Sequence, residues 1–164
     1  MSAYMKLLTP MTDEESLLLA LADLGFDRSK VEVHANAVPL VGYQDDRREQ
    51  TANVIIRRKH VGSASNDMGF LDSATGYQAL ISDYDRSHYG TNWLAELNQH
   101  YGTHFSAKQE RMAAEERARL ELERQRLVEA QRSAIHERAK KAGYQVKEAR
   151  DGDVIRLVLV KRVY

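Results

Sequence analysis

The stretch from Ser106 to Ala142 constrains this chain most: it contains neither glycine nor proline, so nothing in it interrupts a helix. Its middle is mostly Glu, Arg, Gln and Ala, which offer a core little apolar surface. Ala113, Leu120, Leu127 and Ala134 recur at heptad spacing, and Val128, Ile135 and Ala142 form an adjacent row. The two rows run together only after Leu127. The pattern predicts that Leu127 to Ala142 docks on a sheet while Ala107 to Arg126 is largely exposed. Opposite charges stand at helical spacing along the exposed part: Glu115/Arg119, Arg117/Glu121, Arg119/Glu123 and Glu121/Arg124. Each pair contributes about 0.2–0.5 kcal/mol, enough in sum to help a helix persist without packing. At about 1.5 Å per residue such a helix is roughly 55 Å long. A body of about 120 residues is roughly 35 Å across, so the helix is expected to overhang it.

Ser106 and Gln109 form a capping box at the start of this helix. A separate helix is expected before it, capped by Thr91, carrying Trp93, Leu94, Leu97 and Tyr101 and closed by Gly102. The two are expected to lie alongside each other as a helical hairpin. The alternative is a final β-hairpin packed on another subunit.

Earlier in the chain, Tyr4 to Thr9 reads as a short strand ended by Pro10. Thr12-Asp13-Glu14-Glu15 is a capping box with Thr12 as N-cap, and Leu17, Leu18, Leu21 and Leu24 share a helical face before Gly25. Strand signals follow at Val31 to His34, at Val38 to Tyr43 (an edge, because of Pro39), at Ala52 to Lys59, at Asp67 to Leu71 and at Tyr77 to Ser82. Asp45 to Gln50 reads as a charged loop and His60 to Asn66 as a polar turn. Gly143 to Ala149 and Val154 to Arg162 flank Asp151-Gly152, which suits a tight hairpin turn. Strands, then helices, then a hairpin without βαβ alternation predict an α+β fold with a mostly antiparallel sheet and a long projecting charged helix or helical hairpin. The expected organisation is one domain over 1–164, with a helical arm at 105–133 and a β-hairpin at 143–162 that completes the body.

Composition narrows the chemistry. The chain has 164 residues and a formal net charge of zero, so no global field favours nucleic acid or an acidic substrate. It has no cysteine, which excludes disulfides, thiolate catalysis and cysteine-based metal sites. No apolar run approaches the ~18 residues of a membrane span, and Met1 to Met11 does not read as a signal peptide. A cytoplasmic protein with no cofactor is the expectation. Glycine-rich phosphate loops and nucleophile elbows are missing from the sequence.

His100 and His104 have the spacing that places two imidazoles on one metal, with Gly102 between them. Asp83, Asp85 and His88 form an acidic–histidine cluster for which a hydrolytic or magnesium site is conceivable; turn and cap use of aspartate is the commoner role. Tyr77, Tyr84, Tyr89, Trp93 and Tyr101 read as core between helix and sheet. Arg117, Arg119, Arg124 and Arg126 are the residues a nucleic-acid interface would use, a reading the zero net charge disfavours.

An ordered set of short segments carries a family resemblance. These are the N-terminal strand and helix ending Leu24-Gly25-Phe26, then Gly42-Tyr43, Ala52-Asn53-Val54-Ile55, Asp67-Met68-Gly69-Phe70 and Gly76-Tyr77 leading to Asp83. Leu97-Asn98-Gln99-His100-Tyr101 with His104 follows, then Gly143-Tyr144, Asp151-Gly152 and Leu157-Val158-Leu159 before Arg162. In this the chain resembles domain of unknown function 1257, a family found as a conserved plastid open reading frame and in cyanobacteria, other bacteria and phages. The resemblance implies a small α+β domain and, in some bacterial relatives, a genomic association with MoxR-type AAA+ ATPases. It implies no catalytic residues. Against it, the stretch from about Phe105 to Ser133 reads as an insertion.

Together these readings predict a non-enzymatic interaction or accessory protein. Its arm would contact a protein partner through Arg117, Arg119, Leu120, Glu121, Glu123 and Arg124. The partner would be a AAA+ ATPase, or a host assembly if the chain is phage-encoded, with self-association as a further use of the arm. The rival is a metal-dependent enzyme using Asp83, Asp85, His88, His100 and His104.

Overall fold

The structure, a computed structural model, describes residues 3–161. The chain divides into two compact units, Met1–Glu110 and Arg111–Tyr164. The first holds β1 (Tyr4–Leu8), α1 (Glu14–Asp23), β2 (Val31–Val41), β3 (Arg47–Ile56), α2 (Arg58–Val61), β4 (Met68–Leu71), β5 (Gln78–Ser82) and α3 (Arg86–Tyr89). Helix α4 (Thr91–Lys141) begins in the first unit and ends in the second, which adds β6 (Tyr144–Asp151) and β7 (Val154–Lys161). The fold is α+β, as the order of elements predicts.

In the first unit five strands lie in the order β1-β5-β4-β3-β2, each neighbour antiparallel. Alternation along β3 sends Val54 and Ile56 to one face and Ile55 to the other. The Val54 face buries Phe70, Ala79 and Ile81 with Leu17, Ala20 and Leu21 of α1 and Leu97 and Tyr101 of α4. The opposite face buries Leu40, Ile55 and Leu80. Gly69 is needed where β4 crosses this face: a Cβ there would lie 2.6 Å from the Ala52 Cβ. The two segments expected at Val31–His34 and Val38–Tyr43 are one continuous edge strand, β2. Its register shifts between Val33 and Val38 and again between Pro39 and Val41. Arg47 to Gln50 lie within β3 rather than in a loop, because they pair back toward β2 with Val41 opposite Arg47.

The N-cap of α1 is Asp13, not Thr12. The Asp13 carboxylate accepts from the Ser16 backbone at 2.9 Å and hydroxyl at 2.7 Å. The N–H groups of Thr12 and Asp13 both donate to the Tyr101 hydroxyl at 3.0 Å, which ties this turn to α4. Gly25 takes φ 92° just past the C-cap, as the helix stop requires.

Helix α4 is continuous. Gly102 does not end it, and Ser106 lies inside it rather than at a cap. The expected helical hairpin is therefore a single helix. An interior glycine costs a helix about 1 kcal/mol. Contacts on both sides offset that: Leu97 and Tyr101 are buried, Phe105 stacks on Tyr101 with centroids 5.5 Å apart, and Lys108 reaches Asp13 at 2.6 Å. At the start, Thr91 is the first helical residue, and the Gly90 carbonyl accepts from Leu94 N–H.

In the second unit β6 and β7 form a two-stranded sheet of their own, with Asp151 opposite Val154 across a turn where Gly152 has φ 59°. Arg162, the expected end of this hairpin, lies outside the described residues. The C-terminal part of α4 meets the hairpin at Glu148, which binds Arg132 through both oxygens at 2.6 Å and His136 at 2.5 Å. These partners, Arg132 first and His136 second, hold the Glu148 carboxyl down at about 2. The broad stripe expected to be covered is mostly open: Leu127, Val128 and Ile135 are exposed, and Ala139 is the buried apolar side chain of this segment.

Candidate functional site

The polar groups of the first unit gather where β2, β3 and β4 approach one another, around Asp67. Only 1% of Asp67 is exposed. Its carboxylate accepts from the Arg58 N–H at 2.8 Å, the Val41 N–H at 2.9 Å and the Arg57 guanidinium at 2.7 Å. Its carbonyl accepts from the Tyr4 hydroxyl at 2.8 Å, and its N–H donates to the Val41 carbonyl. Arg57 also holds Glu32 through Nη2 at 2.5 Å and Nε at 2.8 Å. Its bond to Glu32, seconded by Asp67 against the opposing effect of burial, raises the Arg57 guanidinium above its ordinary value. The same contact lowers the Glu32 carboxyl. Burial, with Asp67 nearby, raises the Tyr4 phenol.

Buried Asn66 and Asp85 extend this network. Asn66 Oδ1 accepts from Tyr43 N–H and from Arg48, while its N–H donates to Asp85. Asp85 also accepts from the Ser82 hydroxyl at 2.5 Å. Beside the cluster opens a cavity of about 600 Å³ lined by Arg57, Arg58, Lys59, Asp45 and Asp67 among others. Arg58 is paired with Asp45 at 2.7 Å. Both Asp67 oxygens are taken by donors, two of them backbone N–H groups. The arrangement fixes loops against strands.

The histidines and acids singled out from sequence fall into separate places. His100 Nδ1 and His104 Nε2 both lie on Asp23 Oδ2, at 2.9 and 2.7 Å. The unbroken helix through Gly102 puts them one turn apart, facing the end of α1. The hydrogen bond with His104, aided by His100 and opposed by desolvation, lowers the Asp23 carboxyl. Asp85 belongs to the network around Asn66. The Asp83 N–H donates to the Ala3 carbonyl, and His88 lies on α3 with its Nδ1 3.0 Å from the Ser87 hydroxyl. Among the described residues no group of three or more His, Asp or Glu side chains is arranged to hold a metal ion. Tyr89 and Trp93 pack edge to face at 5.3 Å and both meet Phe26, as core aromatics do.

The arm residues are all on the surface. Every residue from Arg111 to Gln131 is exposed, including Met112, Leu120, Leu122 and Leu127. Arg119 pairs with Glu116 at 2.7 Å and Arg124 with Glu121 at 3.3 Å, one turn back in each case. Arg117, Arg119, Leu120, Glu121, Glu123 and Arg124 thus line solvent, with half of the Leu120 surface uncovered. No helix among the described residues is long and apolar enough to cross a membrane.

Sequence reasoning missed Asp67, Arg57, Asn66 and Glu32. The available signal was the adjacent Asn66-Asp67 pair at the mouth of an apolar strand, where unpaired polar side chains would be out of place. Comparison with known proteins finds no match among the curated proteins and none among the solved structures. A family model does match, over residues 20–128. That span takes in most of the segment 105–133 and leaves out the hairpin. With about two-thirds of its length so matched, the chain belongs to the family described as Protein of unknown function (DUF1257).

Proposed function

We propose that this protein is a non-enzymatic accessory protein of the cytoplasm that binds a protein partner through the exposed stretch of α4. The observation that carries the reading is the uninterrupted exposure of Arg111 to Gln131 with five large apolar side chains in it. A helix that keeps leucines in water over several turns offers the apolar anchors and flanking charges of a helix-recognition surface. The polar network around Asp67 supports the same reading, because its groups satisfy one another rather than converge on an open point. The favoured partner class is a AAA+ ATPase, with a host assembly as the form this takes in a phage-encoded member. On this view the exposed stretch of α4 carries the member's own specificity.

The test is affinity purification from the native host with the full chain and with a triple variant, Arg117→Glu, Leu120→Asp, Arg124→Glu. Ion pairing and apolar contact are lost together while the first unit's core is untouched. The reading expects a co-purifying protein, identified by mass spectrometry, to fall by about tenfold or more in the variant. Equal recovery with both chains would sink it. Truncation is a poorer tool than substitution here, since Phe105 and Lys108 hold α4 to the first unit's core and to Asp13.

A further inference from the structure

Strand β7 leaves one edge open. Its sheet has only two strands, and among the described residues nothing pairs with the side of β7 away from β6. Two-stranded hairpins are marginal in water, and an open edge offers a row of unpaired N–H and C=O groups. At the rim of the five-stranded sheet, β2 carries Pro39 and two register shifts, devices that discourage an added strand. β7 has neither. It pairs with β6 in unbroken register from Val154 to Lys161, and its charged residues are Arg156 and Lys161 alone.

The turn determines which backbone groups face outward. Asp151 and Val154 flank a two-residue turn and oppose each other. Residues in that position exchange both backbone bonds, and bonded positions recur at every second residue. Ile155, Leu157 and Leu159 therefore direct their N–H and C=O to the open edge. The face is fixed too: Glu148 binds α4, and Leu157 sits directly opposite Glu148 and shares its face.

We propose that β7 pairs antiparallel with β7 of a second copy of this chain, about a two-fold axis through Leu157, to make a continuous four-stranded sheet. A two-fold normal to a sheet keeps each face on its own side, so only residues of like parity can oppose each other. Centred on Leu157, the pairing sets Ile155 opposite Leu159, Val154 opposite Val160 and Arg156 opposite Val158. No like charges meet, and the turn residue Asp153 of one copy comes beside the end of the other copy's strand at Lys161. Val154 and Leu159, which are 58% and 52% exposed, each gain an apolar neighbour. The outward backbone groups of Ile155, Leu157 and Leu159 are satisfied in the same step. The strand's own charge pattern thus selects a second copy as its partner. The proposal uses no residue of the exposed α4 surface, so the two stand or fall separately.

Sedimentation equilibrium of the full chain at micromolar concentration should give twice its 18.7 kDa mass. Leu159→Lys should weaken the dimer by about tenfold or more, and Lys161→Asp should weaken it less. Adding Asp153→Lys to Lys161→Asp should restore association, which a variant that had merely lost its fold would not do. Leu157→Cys, in a chain with no other cysteine, should cross-link to itself under mild oxidation, because bonded antiparallel pairs hold their Cα atoms about 5.5 Å apart. Val158→Cys should not. A monomer would leave this edge to a different protein and overturn the proposal. So would a dimer whose strength Leu159→Lys and Lys161→Asp leave unchanged.

Discussion

The five-stranded sheet and the terminal hairpin draw on the same apolar alphabet and reach different ends. In the first unit Val54, Ile55, Ile56, Leu80 and Ile81 are all buried, because helices cover one face and Leu40 closes over the other. In the second, β7 is as rich in valine and leucine, yet Val154, Val158 and Leu159 remain exposed, and so do Leu127 and Ile135 of the helix. Strand content does not by itself make a core; a second layer does. The first unit gets its layer from α1 and the start of α4. The second has a single helix and two strands, with Glu148 of β6 paired to Arg132 and His136 of α4.

The largest expected effect probes the better-buried side. Asp67→Ala should destabilise the first unit by about 3 kcal/mol, since it removes one of the two carboxylates that hold Arg57 and leaves two backbone N–H groups without an acceptor. Urea unfolding measures it; a loss below about 1 kcal/mol would mean that water replaces the carboxylate and that the network holds nothing together.

A smaller effect separates the units by pH. The Glu148 carboxyl is lowered in the folded chain, so its contribution is present above the ordinary carboxylate range and is lost as pH falls toward about 2. Amide NMR signals of β6 should shift through that window and lose the response in Glu148→Gln. A response that persists in the variant would assign the transition to another group.

The smallest effect is the sharpest test of exposure. Leu122→Ala should change stability by no more than about 0.5 kcal/mol, because the side chain has no core to leave. A loss of about 2 kcal/mol, the size expected of a covered leucine, would show that this stretch of α4 is buried in solution and would erase the contrast between the two regions.

Much of this was legible in the chain, and the misses have causes. The Asp151-Gly152 turn, the buried run Val54-Ile55-Ile56 and the stop at Gly25 are local signals, and each lands where periodicity and turn chemistry put it. Gly102 misled because its helix-breaking tendency is small beside the contacts made by Leu97, Tyr101 and Phe105, which no local window contains. Thr12 and Asp13 are both good N-caps. The choice between them is made by Tyr101, which takes both of their N–H groups from far along the chain. The Asp67 network was hidden for a similar reason. Its members Tyr4, Glu32, Arg57 and Asp67 are polar residues scattered through sequence, and only the pairing of β1 to β5 and of β2 to β3 brings them together. The exposure of the arm could be read because it depends on nothing distant: a helix with too few apolar residues has no face to bury.

The order of the sheet also bears on how the protein is made. Strands β2 to β5 each pair with the next in sequence, so they can assemble as they appear. Among the described residues strand β1 pairs only with β5, Tyr4 opposite Ser82. Of the five it is the first to leave the ribosome and the last to find its place. At synthesis rates of about 5–20 residues per second it waits on the order of 4–16 s without a partner. Its brevity and the lysine at its centre make that wait tolerable, which gives Lys6 a task during synthesis that the finished fold does not reveal.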